Sequence, residues 1–106
     1  MPTYQAKKIT RQYANILRKH GVPFAHMYLF GSHAEGKQTK ESDIDIAVVV
    51  NRAGSNKKYF EKKMLLWRLT SDVDARIEPI LLEKKDIETG ETIMGRQVKK
   101  YGMRVV

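Results

Sequence analysis

Residues 44–50 read IDIAVVV, a run in which odd and even positions alike are apolar apart from one aspartate. Five of the seven are β-branched, so the run is expected to be a strand. Because neither side of it reads as solvated, it should be a central strand with both faces covered. That requirement narrows the fold to a small sheet with layers on each side. The exception, Asp45, is preceded by Asp43 at the same strand parity. Side chains alternate along a strand, so the two carboxylates point one way with Ala47, while Ile44, Ile46 and Val48 point the other way into a core. Unneutralised carboxylates side by side repel and lose hydration. A divalent cation is their simplest partner, and Mg²⁺ is typically held by one or two carboxylates plus substrate phosphates.

The remaining elements follow from local pattern. Ala6, Ile9, Tyr13, Ile16 and Leu17 recur at helical spacing between Thr3, a candidate cap, and Gly21 with Pro23, which stop the helix. Phe24 to Phe30 is short, aromatic and apolar, and is expected to be a strand. After the turn NRAGSN, with Ser55 or Asn56 as cap, a long helix carries Phe60, Met64, Leu65, Trp67 and Leu69 toward the core. Ala75 to Leu82 is a third strand, and Glu91 to Tyr101 a last helix that buries Ile93, Met94 and Val98 before Gly102 ends it. MRVV fits either a short terminal strand or a packed tail. The expected class is α/β (α+β), a small mixed β-sheet covered by helices, with residues 1–106 forming a single domain.

Composition restricts the function classes. No apolar run approaches the ~18 residues of a membrane span, and the N-terminal stretch lacks the apolar core of a secretory signal. The absence of cysteine removes disulfides and thiolate metal sites. These missing signals make a cytoplasmic location the expectation. Twenty Lys and Arg against twelve Asp and Glu give a net charge of +8, which favours anionic partners: nucleotide, RNA or an acidic protein.

Upstream of the aspartates, Gly31-Ser32 closes an apolar strand and opens the polar stretch GSHAEGKQTKESDID. A glycine there permits positive φ or close backbone approach, and Ser32 offers a hydroxyl and neighbouring backbone N–H groups to a phosphate. Phosphate on one strand end and metal on the next is what phosphoryl and nucleotidyl transfer requires. For a third carboxylate, Glu78 in RIEPILL is preferred over Asp72 and Asp74 in SDVDA, which lie at a helix-to-strand turn where aspartates are common. Pro79 beside it cannot donate to a sheet ladder and points to an edge position.

Gly31-Ser32, ten intervening residues and Asp43-Ile44-Asp45 resemble the G-S-x10-D-x-D signature of the DNA polymerase β nucleotidyltransferase superfamily. The chain's length and helix-first order look like its minimal nucleotidyltransferases, the MNT proteins. The resemblance implies a polymerase-β-type nucleotidyltransferase fold, with Gly31 and Ser32 on the triphosphate of ATP and Ser42 beside the first aspartate. It further implies Asp43, Asp45 and Glu78 as ligands of Mg²⁺ in a two-metal site, and a HEPN-type toxin as the partner of an MNT antitoxin. The family's common G-S-R-A-R-G stretch reads Gly31-Ser32-His33-Ala34-Glu35-Gly36 here. Both arginines are missing, and Lys37 or Lys40 is expected to supply the lost positive charge.

Other features have plainer readings. His33 fits a loop residue, and His20 and His26 show no ligand spacing. Trp67, Tyr59 and Phe60 read as helix core, while Lys57, Lys58, Lys62 and Lys63, like the basic tail at Lys99, Lys100 and Arg104, read as a solvated face. Three functions remain. The leading one is a Mg²⁺-dependent transfer of AMP from ATP to a hydroxyl. The others are a non-catalytic module that neutralises a partner by contact, and a basic RNA-binding accessory domain.

Overall fold

The computed structural model describes residues 2–31 and 43–106. In chain order the elements are α1 (Pro2–Lys19), β1 (His26–Phe30), β2 (Ile44–Val50), α2 (Asn56–Thr70), β3 (Ile77–Glu83), α3 (Lys84–Thr89), α4 (Ile93–Tyr101) and β4 (Met103–Arg104). Four strands form one mixed sheet in the order β3-β2-β1-β4. The central β2 pairs parallel with β3 and antiparallel with β1, and β4 adds antiparallel to the far side of β1. A parallel neighbour needs a crossover, which α2 supplies. Among the described residues no helix is long and apolar enough to cross a membrane.

The alternation along β2 sorts the core into two layers. Ile44, Ile46, Val48 and Val50 meet Met27, Leu29, Ile77 and Leu81 beneath α1 and α2. Ala47 lies on the opposite face with Phe30, Leu82 and Val98, where α3 and α4 cover the sheet. Both faces of IDIAVVV are therefore buried, as its composition demands.

Helix α1 buries Ala6, Tyr13 and Leu17 as its spacing predicts, with Ile9 and Ile16 packed at the margin. It begins at Pro2, ahead of the expected Thr3 cap, where a proline's missing N–H costs nothing. At its other end Gly21 takes φ +71 and Val22 N–H returns to the Leu17 carbonyl, closing the helix. Ser55 caps α2, its side chain accepting from the N–H of Lys58.

Two expected helix faces are only partly right: Leu65 and Leu69 on α2 and Val98 on α4 do pack inward. On α2 the buried residues are Leu66, Leu69 and Thr70, whereas Phe60, Met64 and Trp67 are exposed and Tyr59 is only partly covered. On α4, Val98 is buried as expected, but Ile93 and Met94 are exposed and Gly95 is buried instead. The reason on α4 is a backbone approach: a Cβ on Gly95 would overlap the carbonyl of Asp86. The glycine lets α4 dock against α3, a helix that the sequence reading passed over, and this docking sets which residues turn inward. Of MRVV, Met103 and Arg104 form the short strand β4, and Val105 and Val106 pack against the core.

Candidate active site

The expected acids meet at one end of the sheet. Asp43 is exposed just before β2 begins, and Asp45 is the second residue of the strand, partly buried. In the sheet register Asp45 faces Phe30 of β1 on one side and Glu78 of β3 on the other. Its carboxylate is on the Ala47 face, beyond the cover of α3 and α4. Glu78 is exposed and shares side-chain hydrogen bonds with both aspartates. Pro79 is accommodated because β3 is the outer strand of the sheet.

Crowding marks the electrostatics. Burial pushes the Asp45 carboxyl above its ordinary range; the hydrogen bond from Glu78 pulls it back, and the charge of Asp43 raises it further. The Glu78 carboxyl is also pushed up, first by desolvation and then by the charges of Asp43 and Asp45 and the hydrogen bonds with them. A hydrogen bond between carboxyl groups requires a proton that neither can donate when ionised. Asp45 and Glu78 are thus poised to accept positive charge, whether as a proton or as a cation.

Gly31 explains how Asp45 fits. It has φ +71, and a Cβ built there would run into Oδ2 of Asp45. The glycine thus serves both readings of the sequence, positive φ and close approach, although the group it admits is the protein's own carboxylate. Asp74 is placed elsewhere. It accepts from the Arg76 backbone N–H at 2.9 Å, from Nε at 3.0 Å and from Nη2 at 2.9 Å. The Arg76 guanidinium holds that carboxyl below its usual range. Asp72 is exposed at the same turn. Glu78, not Asp74, is the acid in register with Asp45.

Ser32, His33, Glu35, Lys37, Lys40 and Ser42 lie outside the described residues. Among the described residues no group of three or more His, Asp or Glu forms a ready cation cage. The donor set itself fits Mg²⁺: three hard carboxylates whose mutual repulsion a divalent ion relieves. The basic residues of α2 depart in part from the solvated-face reading, since Lys62 Nζ donates to the carbonyls of Arg52 at 3.3 Å and Ala53 at 3.2 Å. Lys57, Lys58 and Lys63 are exposed.

Residues 11–99 match the Polymerase beta, Nucleotidyltransferase family. The protein adenylyltransferase MntA of Shewanella oneidensis is 32% identical over 79 residues, 74% of this chain and 51% of that protein. This chain thus spans about half the length of that relative. A Methanocaldococcus jannaschii protein, named as a candidate protein adenylyltransferase, is 35% identical over 96 residues, 91% of this chain and 86% of its own length. A crystal structure of a toxin–antitoxin complex with AMP-PNP superposes with a TM-score of 0.58 at 29% identity, covering 88% of this chain and 68% of that one. With residues 11–99 matched to its model and two relatives at 32% and 35% identity, the chain belongs to the polymerase beta nucleotidyltransferase family.

Proposed function

We propose that this chain is a Mg²⁺-dependent nucleotidyltransferase that moves AMP from ATP onto a hydroxyl of a protein partner, as the antitoxin of a HEPN-type toxin. The observation that carries the reading is the register of Asp45 with Glu78, with Asp43 at the strand mouth and Gly31 clearing the space between. The names of the two relatives support protein adenylylation, and the toxin–antitoxin structure with AMP-PNP supports an adenine nucleotide and a toxin as partner.

In this reading Asp43, Asp45 and Glu78 hold the cation, and Gly31, Ser32, Ser42 and Lys37 line the triphosphate. The acceptor oxygen attacks the α-phosphorus, the bond from that phosphorus to the β-bridging oxygen breaks, and pyrophosphate leaves while the acceptor proton passes to water. Bound Mg²⁺ supplies charge neutralisation and a lowered pKa for the attacking hydroxyl. The protein's own share is positioning. β2 fixes the spacing of the aspartates, β3 brings Glu78 alongside, and the α3–α4 layer walls off the inner part of the face.

The test is calorimetric titration of the folded protein with ATP, with and without Mg²⁺, beside the Asp43→Asn, Asp45→Asn double variant. Binding that needs both the metal and the aspartates is the expected result. Equal binding by the variant would overturn the site. The replacement of the family's arginines by His33 and Glu35 favours a second reading, binding without turnover. Label from α-phosphate-labelled ATP appearing on a partner protein would exclude it.

A further inference from the structure

The apolar residues of α2 lie on two faces. At about 100° per residue, Leu66, Leu69 and Thr70 cluster on the side that meets the sheet. Phe60, Met64 and Trp67, at the i, i+4, i+7 spacing of one stripe, lie well round the helix from that side. Their exposures are 61%, 52% and 42%, so nothing among the described residues covers them. They line one side of an open furrow with Glu61, Leu65 and Arg68. A stripe of large apolar side chains left in water is a mark of an interaction surface.

The charges around the stripe indicate what covers it. Helix α2 carries five basic residues, Lys57, Lys58, Lys62, Lys63 and Arg68, against one acid, Glu61. By helical phase, Lys63 lies on one flank of the stripe, and Lys57 and Arg68 on the other. A second copy of this chain would bring the same cations against themselves. RNA is a poorer match, because Met64 sits between the aromatics and Glu61 stands beside Arg68 where a phosphate backbone would run. We propose that the outward face of α2 docks an amphipathic protein helix whose apolar stripe is flanked by acidic residues. Phe60, Met64 and Trp67 serve as its anchors, and Lys57, Lys63 and Arg68 fix its orientation. Helix-in-groove recognition uses this i, i+4, i+7 spacing, and aromatic side chains with arginine commonly dominate such interfaces. The inference does not depend on nucleotidyl transfer, since the acids lie at the end of the sheet and on its other face.

Trp67 is the single tryptophan of the chain and reports on the face directly. The probe is a synthetic, tryptophan-free helical peptide with leucines at i, i+4 and i+7 flanked by glutamates, added to the full chain. Docking predicts a saturable blue shift of Trp67 emission that weakens as salt is raised and is reduced about tenfold or more in affinity by Phe60→Ser, Met64→Ser. Both substituted positions are exposed, and circular dichroism verifies that the variant keeps its fold. Three results would each overturn the proposal. They are no shift with the acidic peptide, an equal shift with a lysine-flanked version, or a shift produced instead by single-stranded RNA. A concentration-dependent dimer that the same substitutions abolish would also overturn it, by making a second copy the occupant.

Discussion

A single missing methyl group decides whether the carboxylates can gather. Gly31 combines φ +71 with a carboxylate at the place where its Cβ would stand. Gly31→Ala therefore meets two costs, a strained backbone and a displaced Asp45, and is expected to destabilise the fold by about 1–3 kcal/mol. The same variant is expected to lose Mg²⁺-dependent ATP binding in calorimetry even below its melting temperature. The acids themselves carry an opposite signature. Asp45 and Glu78 have folded-state pKa values raised above their ordinary range. Their ionised forms consequently cost stability, a cost absent below the unfolded pKa and fully present once pH has risen through the folded one. Glu78→Gln should raise the melting temperature at neutral pH, lose that advantage in acid, and abolish transfer. Asp74, held low by Arg76, has the opposite sign: its contribution is present at neutral pH and lost as pH falls. Asp74→Asn should lower the neutral-pH melting temperature while leaving Mg²⁺-dependent ATP binding intact. That pair of thermal melts separates the site acid from the structural one.

At the scale of elements, the strands were legible because period and composition coincide. IDIAVVV has one solution, and its position fixes which side Asp43 and Asp45 take. The register that brings Glu78 beside Asp45 was only partly legible. An acid among apolar residues stood out, but which residue of β3 lies opposite which of β2 is set by the crossover through α2. Helices were harder. Apolar residues on α2 mark two stripes, and local spacing alone does not say which of them meets the sheet. On α4 the decisive residue is Gly95, whose value is in having no side chain, a signal that hydrophobic periodicity passes over. Gly95→Ala should cost about 1–3 kcal/mol by overpacking against the Asp86 carbonyl, measured by urea denaturation. Phe60 and Met64, which the periodicity suggested as core, should tolerate serine with little change in the same assay. Tyr13 on α1 shows how α1 and α2 are tied together. Its buried hydroxyl donates to the Leu66 carbonyl at 2.7 Å, and burial pushes the phenol well above its ordinary pKa. Tyr13→Phe removes that tie while the carbonyl keeps its place in the helix, for an expected loss of about 0.5–1.5 kcal/mol.

For the whole molecule, a net charge of +8 and a concentrated acidic site set up a test that local substitutions cannot provide. A chain this basic attracts ATP whether or not it has a site, so anion binding alone discriminates poorly. Mg²⁺ discriminates better, because long-range repulsion from the basic surface disfavours a divalent cation everywhere except at the carboxylates. If the proposed site holds Mg²⁺, the ion added alone should raise the melting temperature of the wild type above that in KCl of matched ionic strength, by relieving the repulsion of the folded trio. Mass action puts the gain at about 2.7 kcal/mol when the ion is present at 100 times its dissociation constant. A gain of that size is easily read for a domain of about 100 residues, where each kcal/mol moves the midpoint by roughly 4–8 °C. The Asp43→Asn, Asp45→Asn, Glu78→Gln variant should melt higher than wild type in the absence of Mg²⁺ and show no response to the ion. In acid, with the wild-type carboxyls protonated, the two proteins should converge and Mg²⁺ should have no effect on either. A variant that still responds to Mg²⁺ would place the cation elsewhere, and a wild type indifferent to it would leave the gathered acids as a source of instability without a metal to offset it.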